Sequence, residues 1–552
     1  MHLLRSLLFL GVAFTASTLG DGHGPDHPGG APKLELNETA WALKHGLTPP
    51  SYYTADWEDA TLAAERHPGL MIAHGLFMCL AFFVFLPMGM ALRSVKHRMH
   101  RLAVLAQWIC TIVSLAYASV YRKLTPNMYP GQAHSKHGYV VLLIALGITS
   151  IDTAALLRRV FCFVRAGPFT FRGFFDVLRG AHRASESEYI GLMDEEDQVK
   201  SVDSSEPEYA HSNGSSECDI GSDDTLHDAY IQRRTPRSRL HRVLKAAFIT
   251  VEWSLLFCGC STLFSGIAVY TGGCRDKILS GCLGHLIKAG IFWSYGLLNF
   301  ARFLGFGAGM GWAWNRAPSP GYPTAEFVES LVIFLYGITN TWMERIGSAP
   351  GSPYSTKTVQ HIGIAVMFWF GGLLGMAIES KRLRRWFAAH ALDTPDSESH
   401  LGSESHTVSF NPFPALVIGV TGAVMAAHHQ EYLFQVQIHV LWGNLILAFA
   451  VMRCVTYLFL WISPSGATRS TAPSRPPSEA LASFFLAAGG ITFIFSTEEV
   501  TVAAMRRGRD DIMLFVVLGV SVTCIAFVWV VGVVGFQGWL RMGMRMRAKA
   551  GF

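Results

Sequence analysis

The chain has 552 residues, of which 50% are hydrophobic and 15% charged, and its formal net charge is +5. The apolar residues form long runs of about 20, the length that crosses a bilayer as a helix. The composition therefore predicts an all-α, polytopic transmembrane bundle whose main partner is the lipid bilayer. The positive charge lies mostly beside apolar runs, which is topology information and gives no indication of a nucleic-acid partner.

The first 66 residues resemble a secretory leader followed by a polar arm. Residues 1–20 combine Arg5 with a short apolar core and small residues, which predicts a cleaved signal peptide; an uncleaved anchor is the alternative. Residues 21–66 then form a non-cytoplasmic arm. Asn37-Glu38-Thr39 is a glycosylation sequon in that arm, so we expect a glycoprotein.

Eleven apolar segments predict eleven transmembrane helices. Their approximate bounds are residues 69–92, 102–121, 137–157, 246–270, 283–306, 325–343, 358–378, 412–428, 437–461, 480–495 and 512–536. The segments divide into an N-terminal three-span domain (67–165) and a C-terminal membrane domain of about eight spans (243–552). The intervening residues 166–242 are rich in Ser, Asp and Glu, which is typical of a disordered cytoplasmic loop.

Basic clusters at the ends of the spans indicate the orientation. Clusters follow the first, third, seventh and last spans, so the positive-inside rule predicts an outside N-terminus and a cytoplasmic C-terminus. Arg506-Arg507 is an exception, because it falls outside. Together with the leader, this pattern predicts an integral membrane protein of the secretory pathway, in a plasma, vacuolar or other endomembrane.

Two of the ten cysteines, Cys274 and Cys282, share one short loop that this topology places outside. An oxidising compartment favours a disulfide between them. Two free thiols are the alternative.

Eight histidines lie at or just inside the predicted outer ends of the spans. They are His74, His134, His137, His285, His361, His428, His429 and His439. Ionisable side chains near hydrocarbon are costly and commonly mark a pathway, a metal or a haem. This set is therefore the candidate functional site.

The N-terminal members suit a haem held by two imidazoles from different helices. The runs His74-Gly-Leu-Phe-Met78 and His134-Ser-Lys-His-Gly138 resemble the first and third haem helices of the cytochrome b561 family. The resemblance implies an outer haem b with His74 and His134 as axial ligands and His137 as the alternate. His100, paired with His241, would hold an inner haem, although the fourth span contains no histidine. Structural hydrogen bonding is the alternative role.

The C-terminal part resembles the fungal YTP-one-like membrane protein family. The resemblance rests on Gly284-His-Leu-Ile-Lys288, Gly311-Trp-Ala-Trp-Asn315, Gln360-His-Ile-Gly363, His428-His-Gln430 and His439-Val-Leu-Trp-Gly443. It extends over most of the chain, because the N-terminal spans match that family's own domain of unknown function. It implies a polytopic fungal protein that has been likened to electron-transport membrane proteins but whose activity is not established.

The C-terminal histidines also predict a metal site. Three or four converging imidazoles would suit zinc, copper or iron, and two would suit a haem. The candidate ligands are His285, His361, His428, His429 and His439. The alternative is a set of helix-end histidines that cap the helices or face water.

Acidic residues in or near the spans form a separate set. They are Glu252, Glu326, Glu329, Glu344 and Glu379, and Arg302 is a candidate partner. Such acids belong either to a proton or cation relay or to structural ion pairs between helices.

Three function classes follow from these residues. The first is haem- or metal-linked transmembrane electron transfer with a small-molecule electron donor. The second is a metal-ion or proton-coupled transporter, and the third is a non-catalytic membrane scaffold. Phosphate-binding glycine loops, dinucleotide fingerprints and His-Glu-x-x-His motifs do not occur in the sequence. Whether the chain is an enzyme stays open.

Overall fold

A computed structural model gives the positions of most of the predicted membrane region. It describes residues 31–45, 66–95, 97, 99–125, 131–166, 170, 174, 239–271, 273–274, 279–314, 322–343, 354, 356–389, 410–428, 430–462 and 476–549. The predicted signal peptide, most of the acidic loop, Glu344 and His429 lie outside these residues. The side chain of His241 is likewise not described.

Fifteen α-helices account for almost all of the described residues. The first six are α1 (Glu38–His45), α2 (Pro68–Cys79), α3 (Leu86–Ser94), α4 (His100–Leu124), α5 (His134–Ala166) and α6 (Arg239–Thr271). A π-helical segment, Leu80–Phe85, joins α2 to α3 into one continuous span. The others are α7 (Leu279–Phe303), α8 (Ala325–Met343), α9 (Thr356–Glu379), α10 (Lys381–Ala389), α11 (Phe413–Ala426), α12 (Leu433–Ile462), α13 (Pro477–Phe495), α14 (Glu498–Arg506) and α15 (Ile512–Lys549).

A helix lies at each of the eleven segments for which the sequence predicts a span. Among the described residues, seven helices are long and apolar enough to cross a bilayer. These are α2–α3, α4, α6, α9, α12, α13 and α15, and α11 is a shorter apolar helix. Large apolar side chains are exposed along them; Ile525 and Val528 of α15, for example, are 71% and 72% exposed. Such surfaces suit lipid, so the chain is an all-helical membrane protein.

The chain divides into two compact units. The first contains residues 64–266 and 540–552, and the second contains residues 1–63 and 267–539. The core of the first unit comes from α2–α6 and includes Phe82, Leu86, Val141 and Leu255.

The core of the second unit is larger and comes mainly from α7–α9 and α11–α13. Trp442, Ile446 and Phe449 of α12 are completely buried in it. Helices α8 and α9 pack closely because glycines line their contact: a Cβ added at Gly337 would overlap the backbone nitrogen of Trp369. Small residues serve the same purpose in many membrane bundles, where they let backbones approach each other.

The polar arm is bound to the second unit, which the sequence did not indicate. Lys33 forms a single β-bridge with Tyr432, and its ammonium group lies 3.0 Å from Glu431 Oε1. Glu38 at the start of α1 accepts two hydrogen bonds from Arg506, at 2.7 and 2.8 Å. Trp41 is buried against Val502. The arm therefore contacts the residues just before α12, the first residue of α12, and α14.

Three short features differ from the sequence-based expectation. Helix α10 occupies the start of the predicted polar linker after the seventh span, and α14 lies between the last two spans. Helix α6 begins at Arg239, inside the stretch assigned to the acidic loop. All three are polar or basic segments that hydropathy alone does not separate from loops.

Candidate functional site

His74 and His134 come together from α2 and α5 in the first unit. Their ring centroids are 6.4 Å apart, and the ring planes are at 88° to each other. Both rings are partly buried. His137, one turn further along α5, is also partly buried.

Hydrogen bonds determine which nitrogen of His74 carries the proton. Its Nδ1 lies 3.1 Å from the carbonyl oxygen of Ser114, which only accepts, so Nδ1 donates. The Ser114 hydroxyl donates to the His74 carbonyl at 2.8 Å and lies 2.8 Å from the same Nδ1. The lone pair of His74 is therefore on Nε2, as a metal-ligating imidazole requires.

His134 has the same tautomer as His74. The Ser265 hydroxyl donates to the carbonyl of Thr262, so it accepts from His134 Nδ1 at 3.0 Å. The lone pair is again on Nε2. Gly266 gives the ring room against α6, because a Cβ at this position would lie 3.1 Å from His134 Cε1. Both histidines thus have the tautomer of a haem or metal ligand.

His100 has a different environment. Its Nδ1 lies 2.9 Å from the carbonyl oxygen of Gly89, and its Nε2 accepts from Arg93 at 3.3 Å. Arg93 also pairs with Glu252 at 2.9 Å. Because both ring nitrogens are engaged, His100 belongs to a buried polar network, and the geometry gives the expected inner haem no support.

Four described C-terminal histidines form two ring contacts. His285 of α7 and His439 of α12 have ring centroids 6.2 Å apart, with planes at 84°. His361 of α9 and His428 have centroids 6.0 Å apart, with planes at 47°. Among the described residues, three or more of these imidazoles do not bring their nitrogens within 4.8 Å of one another, and the metal site named from the sequence stays a prediction.

The two C-terminal pairs differ in their tautomers. The Nδ1 atoms of His285 and His439 lie 2.9 and 2.8 Å from the carbonyl oxygens of Gly281 and Gln435, so Nδ1 donates in both rings. By contrast, Gln430 Nε2 lies 3.4 Å from His428 Nδ1, which makes Nδ1 the acceptor there. Only the His285–His439 pair repeats the arrangement of His74 and His134.

Cys274 and Cys282 form the predicted disulfide, which the structure confirms, with Cα atoms 5.3 Å apart. Glu499 of α14 accepts the N–H of Cys274. Burial raises the pKa of the Glu499 carboxyl to about 7, and neighbouring Glu498 adds to this, although the bond from Cys274 opposes it. Within the described residues this is the only group of three or more metal-ligating side chains, and the disulfide removes its thiols as ligands.

Comparisons with known proteins extend over both parts of the chain. The family model "Protein YTP1-like, C-terminal" matches residues 258–538, just over half of the chain. The chain belongs to the YTP1-like family. A domain of unknown function, DUF2427, matches residues 56–152. The resemblance to the YTP-one-like family is therefore confirmed.

Fungal relatives of this YTP1-like chain have no assigned activity in their names. It is 29% identical over 489 residues to "Uncharacterized membrane protein C3B8.06" of Schizosaccharomyces pombe, covering 82% of this chain and 91% of the relative. It is 34% identical over 276 residues to "Uncharacterized membrane protein YCR061W" of Saccharomyces cerevisiae, covering 47% and 42%. "Protein YTP1" of the same yeast is 23% identical over 303 residues, covering 55% of each chain. No solved structure matches.

Proposed function

We propose that the YTP1-like chain binds haem b between His74 and His134 and serves electron transfer across or at a membrane. The single observation that carries this proposal is the geometry of the pair. Two imidazoles on opposite sides of one metal ion, with bonds of about 2 Å each, have ring centroids roughly 6 Å apart. The ring centroids of His74 and His134 are 6.4 Å apart.

The surroundings of the pair also suit a macrocycle. A Cβ added at Gly75, next to His74, or at Gly138, one turn along α5 from His134, meets no atom within 4 Å. Phe77 and Tyr117 stack nearby with centroids 6.0 Å apart, which provides an aromatic wall. A bound haem would supply a one-electron carrier, while Ser114 and Ser265 hold both Nε2 lone pairs available for it.

An absorption experiment tests the proposal. Full-length protein would be produced with haem supplied, purified, and compared in reduced and oxidised forms, with haem extracted and quantified. Wild-type protein should show a b-type band, and His134→Ala should lose most of it. His137→Ala is the matched control on the same helix and should retain the band. Wild-type protein without a band or extractable haem would exclude haem binding.

A second candidate function is handling of a transition-metal ion, with coupling to metal transport. It rests on the His285–His439 pair, whose spacing and tautomers repeat those of the N-terminal pair. His361 and His428 form the comparison pair, because His428 Nδ1 accepts a hydrogen bond and so lacks the matching tautomer. Metal content after purification should fall in the His285→Ala/His439→Ala variant. It should equal that of the wild type in the His361→Ala/His428→Ala variant. Equal metal content in wild type and both variants would remove this function.

We also propose the full membrane topology that the sequence predicts. The chain loses its signal peptide, crosses the membrane eleven times and has its N-terminus outside and its C-terminus in the cytoplasm. The eleven helices and the disulfide in a predicted outer loop support this topology. A secretory-pathway membrane follows from the same arrangement.

A further inference from the structure

Five buried charged side chains of the second unit form an alternating chain of acids and bases. In order they are Glu326, Arg302, Glu329, Arg453 and Glu479, from α7, α8, α12 and α13. Arg302 donates to Glu326 at 2.9 Å and also to Glu329. Arg453 lies 3.4 Å from Glu329 and donates to both oxygens of Glu479, at 2.9 and 2.7 Å.

This row of five ion-paired side chains has one carboxylate more than it has guanidinium groups. With all five groups ionised it would carry one excess negative charge in a buried environment. The other charged groups beside it, Glu379 and Arg384, form a pair at 3.0 Å and cancel each other. Among the described residues, Tyr295, Tyr457 and Cys454 also lie beside these groups, and phenols and thiols of this kind are neutral at physiological pH. A buried uncompensated carboxylate is costly and is relieved when the group binds a proton.

Two side chains packed among these ion pairs have a hydrogen-bond donor without a partner among the described residues. Asn299 is completely buried and accepts from Arg302 through Oδ1, yet its Nδ2 has no partner among the described residues. Trp314 lies beneath both guanidiniums, at 4.7 and 4.8 Å from its ring, and its Nε1 is likewise buried without a partner. Closed sets of structural ion pairs leave few such donors. The polar groups around these ion pairs are therefore not all paired with one another in the described part of the chain.

We propose that these five ion-paired side chains form a proton-binding site and that Glu326 carries the proton. Glu326 contacts one guanidinium, whereas Glu329 contacts both and Glu479 receives two bonds from Arg453. Thr324, two residues earlier, donates to Glu379 at 2.8 Å, which places a second carboxylate near Glu326. The Glu326 side chain is 11% exposed and Glu479 is 0% exposed, so Glu326 is the better placed to exchange a proton with solvent.

The reaction is a simple protonation. A proton from solvent binds the ionised Glu326 carboxylate to give the neutral acid and returns to solvent as the pH rises. The site lies in the second unit and does not depend on the haem proposed for His74 and His134. Its test accordingly uses protein without added haem.

Infrared difference spectroscopy of the full-length protein in lipid nanodiscs tests the assignment. Wild-type protein should show the carbonyl stretch of a protonated buried carboxyl that grows as the pH falls and shifts in deuterated water. Glu326→Gln should lose this band. Asp510→Asn, which changes an exposed acid between α14 and α15, is the matched control and should retain it. A missing band, a band independent of pH, or a band that persists in Glu326→Gln would overturn the proposal.

Thermal unfolding provides an independent measurement. Glu326→Gln should leave the midpoint nearly unchanged near neutral pH, because glutamine resembles the neutral acid. Glu479→Gln should lower it by roughly 5 °C or more, because Arg453 then loses its closest carboxylate. An equal drop of the unfolding midpoint in both variants would mean that Glu326, Glu329 and Glu479 are all ionised. A midpoint that rises specifically with sodium, without the infrared band, would indicate a metal cation in place of the proton.

Discussion

The hydroxyl groups of Ser114 and Ser265 control the N-terminal histidine pair at the scale of single residues. The Ser114 hydroxyl lies beside its own carbonyl oxygen at the Nδ1–H of His74, and the Ser265 hydroxyl accepts the Nδ1–H of His134, so both rings leave Nε2 for a ligand. Partners of this kind around a metal site typically change affinity by about 10–100-fold when removed. The two serines are thus positioning residues of the proposed haem site.

Replacing these serines should weaken haem binding without unfolding the unit. We expect Ser265→Ala to lower haem affinity by about tenfold or more, because the Nδ1 of His134 loses its hydroxyl acceptor. Haem titration of purified protein measures the affinity. Ser119→Ala is the matched control, since among the described residues the Ser119 hydroxyl of α4 bonds to the Leu115 carbonyl of its own helix and to no histidine. Equal affinities for Ser265→Ala and Ser119→Ala would exclude a positioning role for Ser265.

The sequence places histidines at helix ends but does not reveal their tautomers. His74 and His100 look alike in the sequence, since each lies near the end of an apolar run. They differ because Ser114 bonds to one, whereas Gly89 and Arg93 occupy both nitrogens of the other. Those partners come from residues 7 to 40 positions away. The hydrogen-bond partners of each histidine therefore determine its role, and the hydropathy pattern does not show these partners.

At the scale of elements, α14 and the disulfide loop form a pH-sensitive contact outside the spanning helices. Burial raises the pKa of Glu499 to about 7, above its ordinary value of 4.5. Between these values the folded state holds the proton more tightly than the unfolded state. The free energy needed to open this contact therefore falls as the pH rises from 4.5 to about 7. Above this range the free energy stays at its lower value.

Hydrogen exchange of α14 and the Cys274 loop measures this dependence. Protection factors, corrected for the intrinsic effect of pH, should decrease between pH 5 and pH 7 in wild-type protein. Glu499→Gln should flatten this response, because glutamine does not ionise. The exposed substitution Asp510→Asn should leave it unchanged. A wild-type profile as flat as that of Glu499→Gln would contradict the contribution of Glu499.

Elements with strong apolar character were predictable, whereas short polar elements were not. The seven membrane-length helices follow from runs such as Ile512–Met546. Helices α1 and α14 are short and carry charged residues, and their positions depend on the Glu38–Arg506 pair and on the burial of Trp41. These contacts join residues more than 450 positions apart, so no local pattern indicates them.

At the scale of the whole molecule, the proposed topology places the arm outside the membrane. Asn37 is exposed, and its Oδ1 accepts the N–H of Ala40 at 2.9 Å at the start of α1. A glycan attached through Nδ2 leaves this oxygen available, so modification is compatible with the fold.

Glycosidase treatment of protein from a eukaryotic host tests this topology. Wild-type protein should shift to lower apparent mass after removal of N-linked glycans, and Asn37→Gln should not shift. Asn213→Gln is the control in the second sequon, which the topology places in the cytoplasm, and it should behave as wild type. Loss of the shift in Asn213→Gln, with retention in Asn37→Gln, would reverse the orientation.

The histidine pair in the first unit remains the centre of the proposed activity, and the ligation state of ferric haem tests it most directly. Because the imidazole planes of His74 and His134 are at 88°, the oxidised protein should give a strongly anisotropic low-spin signal in electron paramagnetic resonance. His74→Ala or His134→Ala should replace that signal with a high-spin one or remove it. A low-spin signal that survives in both variants, or haem-supplied protein without any ferric signal, would contradict ligation by this pair.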